Sequence, residues 1–338
     1  MGGPTSPPYP PRSERPGGPG RSSIFREPPR EARGGSVSAI VSLFAPRSYM
    51  DRQRRAGLFF VLPALLYFSA VFLVPLVESV SGSFYRTVPG GTTQFVGWRL
   101  YEKVLTDPSF WQAVGNTVSL LLMSMPATVV LALTVALGLH RLRSLRWRST
   151  WTAMYFLPFS VSLVAAALIW QWLYDPLYGL LNHLLRGVGL PPLKWLQSLD
   201  MVRPSLAIVN VWLRLGFDTI IFLAALQAIP GEYYEAASID GASRWQALRR
   251  VTLPLLNPQI VMVTILELIF NFKVFDTVYA TTQGGPAGAS QTVIMLLYDT
   301  AFKYFRLGEA SVMAVFVFVS LLLVTLVQWR VFRRQVEY

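Results

Sequence analysis

Six stretches of the chain, 57–81, 116–139, 150–174, 206–229, 259–280 and 308–329, are strongly apolar and carry few charges. Each has about 20 residues or more, enough for a helix rising ~1.5 Å per residue to cross a hydrocarbon core of ~30 Å. One such run fits a core helix of a large soluble protein; six in one chain do not. Hydrophobic residues make up 53% of the sequence and charged residues only 14%, whereas a soluble surface needs roughly a quarter of its residues charged. The same apolar content excludes disorder of the whole chain. The expectation is an all-α polytopic membrane protein with about six transmembrane helices. There is no cysteine, which excludes a disulfide scaffold, a thiolate metal site and a thiol nucleophile.

The net charge of +12 suggests a nucleic-acid partner at first sight, but its distribution points to the membrane. Residues 1–49 are rich in Pro and Gly and hold seven arginines, from Arg12 to Arg47, and they read as a disordered basic tail. The first long apolar run begins too far along the chain for a secretory signal peptide. The connection after the second run carries Arg141, Arg143, Arg146 and Arg148, and the one after the fourth carries Arg244, Arg249 and Arg250. Arg52, Arg54 and Arg55 precede the first run, and Arg330, Arg333 and Arg334 follow the last. The alternate connections are poorer in cations. The positive-inside rule therefore puts both termini and the second and fourth connections in the cytoplasm of a multi-pass plasma-membrane protein, and no nucleic-acid partner is expected. Trp and Tyr near the run ends fit an interfacial aromatic belt. The chain divides into the tail (1–49), a first span with its outer loop (50–109), and a core (110–338).

The connection 231–257, GEYYEAASIDGASRWQALRRVTLPLLN, is longer than a link between antiparallel spans requires. Residues 232–239 favour helix. Asp240–Gly241 favours a turn or a positive φ. Trp245, Leu248 and Val251 then resume a helical stripe, with Pro254 and Pro258 expected to end it and launch the fifth span. Two short cytoplasmic helices meeting near Gly241 make a knob that a partner's groove can grip; the competing reading is an amphipathic loop on the lipid interface.

EAASIDGASRWQALRRVTLPLL resembles the EAA signature of permease subunits in ABC importers, with Glu235, Ala236, Ala237, Asp240, Gly241, Leu253 and Pro254 at matching positions. Val251 and Leu248 stand where Ile and Phe are common and keep the face apolar. From about Phe110 onward the chain is similar to the carbohydrate-uptake branch, to the first of two permeases of maltose, multiple-sugar or glycerol-phosphate type. The resemblance implies type I importer architecture with a cytoplasmic coupling helix. It also implies a heterodimer with a second permease, two ATPase subunits and an extracytoplasmic solute-binding protein. ATP and Mg would sit on the ATPase, because the chain has no GxxxxGK[ST] phosphate loop. The implied function is ATP-driven import of a sugar or sugar-like solute by alternating access, with no catalytic residue, cofactor or metal site on this chain.

Ionisable groups within spans are costly and face protein or water. Arg214 and Asp218 are four apart, as are Glu267 and Asn271, so each pair shares a helix face. Asn271, Glu267, Asp276, Asp218 and Tyr279 form the candidate substrate path, Asn271 first among them because a neutral amide suits sugar hydroxyls. The competing reading is a mutually satisfied interhelical network. The Gly-rich segment 281–290 reads as an outer loop. The rival functions are import of a peptide, polyamine or other solute, a secondary transporter, which would show inverted repeats and an embedded ion site, and a membrane-embedded enzyme.

Overall fold

The computed structural model describes residues 49–87 and 92–332. The expected basic tail lies outside the described residues except for Tyr49, and so do Arg333 and Arg334. Two compact units divide after Tyr67. The described part of the first lies in helix α1 (Tyr49–Phe68), whose side chains from Leu58 to Tyr67 are largely exposed. The second unit holds α2 (Val74–Gly82), a small antiparallel hairpin of β1 (Tyr85–Thr87) and β2 (Thr93–Phe95), and helices α3 (Arg99–Leu105), α4 (Pro108–His140), α5 (Leu145–Ser160), α6 (Leu163–Leu173), α7 (Leu180–Gly187) and α8 (Val202–Ala228). It continues with α9 (Glu232–Ile239), α10 (Arg244–Leu255, with a π turn at Leu248–Thr252), α11 (Asn257–Phe272), α12 (Asp276–Thr281), α13 (Val293–Tyr298) and α14 (Leu307–Phe332).

Four helical segments among the described residues are long and apolar enough to cross a membrane: Gly57–Gly82, Pro108–His140, Val202–Ala228 and Leu307–Arg330. Two bent pairs, α5 with α6 and α10 with α11, bring the number to six if each pair is one span. The third expected span is therefore not one straight helix: α5 and α6 meet at 97°. Pro158 lacks an amide for the last turn of α5, and Val161 and Ser162 are extended. The fifth expected span is broken as well. It ends at Phe272 and resumes at Asp276, while a 65° bend joins α10 to α11. Pro254 does not stop α10, which runs on to Leu255, because the π turn ahead of it restarts the ladder and places the proline at a first-turn position where no amide is needed.

The core forms where α8 runs along α4 and α5. Asp107 caps α4 by accepting from the Ser109 amide at 2.8 Å. The buried stripe of α4 includes Ala113, Thr117, Ser124, Thr128, Ala132 and Ala136. Small residues at this spacing let a neighbouring backbone come close, and the Thr117 and Thr128 hydroxyls bond carbonyls of their own helix. Ala132, Ala136 and Leu139 pack on Phe222, Leu223 and Leu226 of α8 and on Leu256 and Val263, at and just beyond the end of the 231–257 connection. Gly216 of α8 lies so near the Tyr155 carbonyl of α5 that a Cβ there would collide with it.

Candidate functional site

The 231–257 connection folds as two helices joined by a tight cap. Gly241 has φ +75°; its amide bonds the Ser238 carbonyl at 3.1 Å, and the Ala242 amide bonds the Ala237 carbonyl at 2.9 Å. These two bonds make a Schellman cap on α9, and its left-handed residue explains the glycine. Ser243 then opens α10 with a capping box: its hydroxyl accepts from the Gln246 amide, and Gln246 Oε1 accepts from the Ser243 amide at 2.7 Å. Tyr234 Oη and Thr252 Oγ1, 3.1 Å apart, tie the first helix to the second. Glu235, Ala236, Asp240, Gly241 and Pro254 are exposed, and Ala237 and Leu253 half-buried. Ile239 and Trp245 are 87% and 68% exposed, an apolar pair presented beside the acidic residues.

The polar residues inside the helices converge. Arg214 Nε donates to Glu267 Oε1 at 2.6 Å and Arg214 Nη2 to Asp218 Oδ1 at 3.3 Å. Asn271 Nδ2 donates to the Glu267 carbonyl at 2.9 Å and to Glu267 Oε2 at 3.1 Å. All four residues are buried, with one guanidinium held between two carboxylates away from water. The guanidinium also sits 3.8 Å from the Phe270 ring centroid and 4.7 Å from that of Phe217. Phe217 in turn stacks on Phe159 of α5.

This network borders a cavity of about 470 Å³ lined in part by Phe159, Asn210, Arg214, Asn271, Lys273 and Asp276. Three buried polar atoms of the lining side chains lack a hydrogen-bond partner: Asn271 Oδ1, Asn210 Nδ2 and Arg214 Nη1. One is an acceptor and two are donors. The break between α11 and α12 shapes the cavity floor. The Val274 carbonyl there accepts from Thr292 Oγ1 at 3.0 Å, which meets the need for internal bonding at membrane depth.

The candidate path thus divides. Asn271 and Asp276 line the cavity, Asp218 and Glu267 stand behind it on Arg214, and Tyr279 lies apart, stacked on Phe275 and edge-on to Tyr298. Asn210, whose Oδ1 accepts from Thr277 Oγ1 at 3.3 Å, was not singled out in the sequence; a lone amide in an apolar run signals little until its neighbours are known. Among the described residues no group of three or more His, Cys, Asp or Glu is placed to hold a metal ion.

Known proteins match this arrangement over most of its length. The chain is 35% identical over 293 residues to the trehalose/maltose transport system permease protein MalF of Thermococcus litoralis, covering 84% of this chain and 96% of that one. It is 30% identical over 282 residues to the sulfoquinovosyl glycerol transport system permease protein SmoG of Agrobacterium fabrum, covering 83% and 91%. Its fold superposes with a TM-score of 0.75 and 25% identity on a chain of the bacterial alginate ABC transporter solved in complex with an alginate pentasaccharide-bound periplasmic protein, covering 85% and 98%. Residues 106–337 match the family described as binding-protein-dependent transport system inner membrane component. With that match spanning the helices that build both the cavity and the capped 231–257 connection, the chain belongs to this family of inner membrane permease components of ABC importers.

Proposed function

We propose that the chain is the transmembrane permease subunit of an ATP-driven importer that moves a sugar or sugar-like solute into the cytoplasm by alternating access. The observation that carries the reading is the cavity beside α8 and α11, where one buried acceptor and two buried donors have no partner and aromatic rings stand alongside. A sugar hydroxyl donates and accepts, so a polyol satisfies all three atoms without bringing charge. The relatives named for trehalose/maltose and sulfoquinovosyl glycerol, and the alginate transporter, support the same substrate class. Asn271, Asn210 and Arg214 would contact the solute, with Glu267 and Asp218 holding the guanidinium in place and Asp276 at the cavity edge. Tyr279 lines the route only if its aromatic stack opens toward the cavity during transport.

The exposed Glu235, Ala236, Asp240 and Gly241 with Ile239 and Trp245 would dock on an ATPase subunit, which holds ATP and Mg. Leu253 and Pro254 carry that docking into α11. Hydrolysis is assigned to two such ATPase subunits. A second permease completes the pathway, a binding protein delivers solute from outside, and both termini lie in the cytoplasm. The test is uptake of labelled di- and oligosaccharides by proteoliposomes containing the purified assembly, with ATP inside and the binding protein outside. Saccharide uptake that requires ATP is the expected result. Uptake driven by a proton or sodium gradient without an ATPase would overturn the reading.

A further inference from the structure

The segment between α6 and α8 is a built hairpin, and its apolar side faces outward. Asn182 is fully buried at its centre. The Asn182 amide donates to the Pro176 and Leu193 carbonyls at 3.2 and 2.9 Å, and its oxygen accepts from the Leu193 amide and from Trp195 Nε1 at 3.0 and 2.9 Å. Asp175 Oδ1 accepts from the amides of Tyr178 and Leu177 at 2.8 and 2.9 Å. Arg186 reaches back to the Pro176 and Leu177 carbonyls. The far arm is fastened to α8, where Ser205 Oγ donates to the Trp195 carbonyl at 3.1 Å, and the Trp195 ring lies 5.2 Å from that of Tyr174, which follows α6 and itself donates to the Ser205 carbonyl at 2.9 Å.

Helix α7 within this hairpin has three sides. At about 100° per residue, Leu181, Leu185 and Asn182 form one side, and Leu181 packs on the core around Tyr174 and Val209. His183 and Arg186, both exposed, form the second. Leu180 and Leu184 form the third, which is exposed yet apolar. Leu177, Tyr178, Val188 and Leu190 extend it on either side, with Tyr178 82%, Val188 73% and Leu184 56% exposed. A hairpin with its polar centre fully bonded does not leave apolar side chains outside for want of order. It holds them there, between a protein-facing side and a charged one.

We infer that this ridge lies in the interfacial layer of the bilayer, so that the hairpin is a monotopic lipid anchor rigidly attached to α8. Phospholipid is the occupant that fits, because the ridge follows directly in the chain on α6, whose Leu168, Ile169 and Trp172 are also exposed and which belongs to a bent pair apolar enough to span. A tyrosine and a tryptophan flank it with Arg186 beside them, the combination that favours the headgroup boundary. The 27 residues of α8 separate the hairpin from the 231–257 connection, so the anchored leaflet is the one opposite that connection. The inference relies on the permease reading only for the presence of a bilayer.

Because the chain has no cysteine, single substitutions give clean spin-label sites. Leu184→Cys, Tyr178→Cys, His183→Cys and, in α14, Leu323→Cys would be labelled in the full chain, with its co-purifying subunits, in nanodiscs of phosphatidylethanolamine and phosphatidylglycerol. Collision with oxygen and with a water-soluble nickel chelate would then be compared. The expected result is an oxygen-to-nickel ratio at Leu184 and Tyr178 close to that at Leu323, and a reversed ratio at His183. Nickel access at Leu184 and Tyr178 equal to that at His183 would place the ridge in water. Labels there that are immobile and shielded from both reagents would place it against another subunit. Either outcome overturns the anchor. Nickel access at Leu323 itself would instead sink the membrane-spanning reading on which the anchor rests.

Discussion

Arg214 on α8 and Glu267 on α11 form a buried ion pair of 2.6 Å across 53 residues of sequence, and Asp218 and Asn271 close around it from the same two helices. Arg214 serves two buried carboxylates, Glu267 and Asp218, and removing the shared partner of buried charges costs about 3–5 kcal/mol. Arg214→Met should therefore lower the unfolding temperature of the purified protein strongly. Arg214→Met with Asp218→Leu and Glu267→Leu should restore most of the loss, because three apolar groups leave no unpaired charge. A triple variant as unstable as Arg214→Met would mean that the network does not act as a unit. Thermal unfolding of the native protein and the two variants decides it.

Asn271→Leu and Asn210→Leu each delete one of the unpartnered polar atoms at the cavity. Each should weaken solute uptake by roughly tenfold, the worth of one hydrogen bond to a ligand, mainly through KM. Membrane content of the protein should not change. Unaltered uptake kinetics in both variants would remove the cavity from the transport route.

Gly241→Pro destroys the cap of α9, since proline cannot adopt φ +75° and has no amide for the Ser238 carbonyl. Glu235→Lys reverses an exposed charge on the same knob. Both variants should insert normally yet show ATP hydrolysis uncoupled from uptake. Measuring hydrolysis and transport on the same proteoliposomes checks this, and normal transport by both would exclude the docking role.

Gly216→Val should separate α5 from α8, because even a Cβ collides with the Tyr155 carbonyl. Overpacking of this kind costs about 1–3 kcal/mol, visible as a lowered unfolding temperature. Gly187→Ala, at a position with open space, is the control and should leave the temperature unchanged.

The apolar runs made the approximate place of the spans legible, their number reaching six where each bent pair is one span, and the Asp240–Gly241 step gave away the turn between α9 and α10. The bend after α5 had a local sign in Pro158. The break between Phe272 and Asp276 had none: no proline or glycine interrupts it, and the carbonyl it frees is bonded by Thr292, eighteen residues on. The candidate path shows the same limit. Four-residue spacing linked Arg214 with Asp218 and Glu267 with Asn271, because neighbours on one helix are fixed by its pitch. That the two pairs share a guanidinium depends on how α8 and α11 cross, which is a property of packing and not of either run. Asn210 and Tyr279 illustrate it from both sides: a plain amide lies at the cavity, and a conspicuous aromatic lies away from it.

Helix α4 links the glycine-rich loop to the 231–257 connection. Near its start, Asn116 donates to the Gly288 and Gln291 carbonyls and Thr117 Oγ1 accepts from the Val293 amide, fastening the glycine-rich loop. Near its finish, Leu139 shares a packed cluster with Leu256 at the elbow between α10 and α11. Its 33 residues make a beam of about 50 Å, gripped at one end by hydrogen bonds and at the other by close packing. A push at the elbow therefore has a lever to act on, and the far loop is the load at its tip.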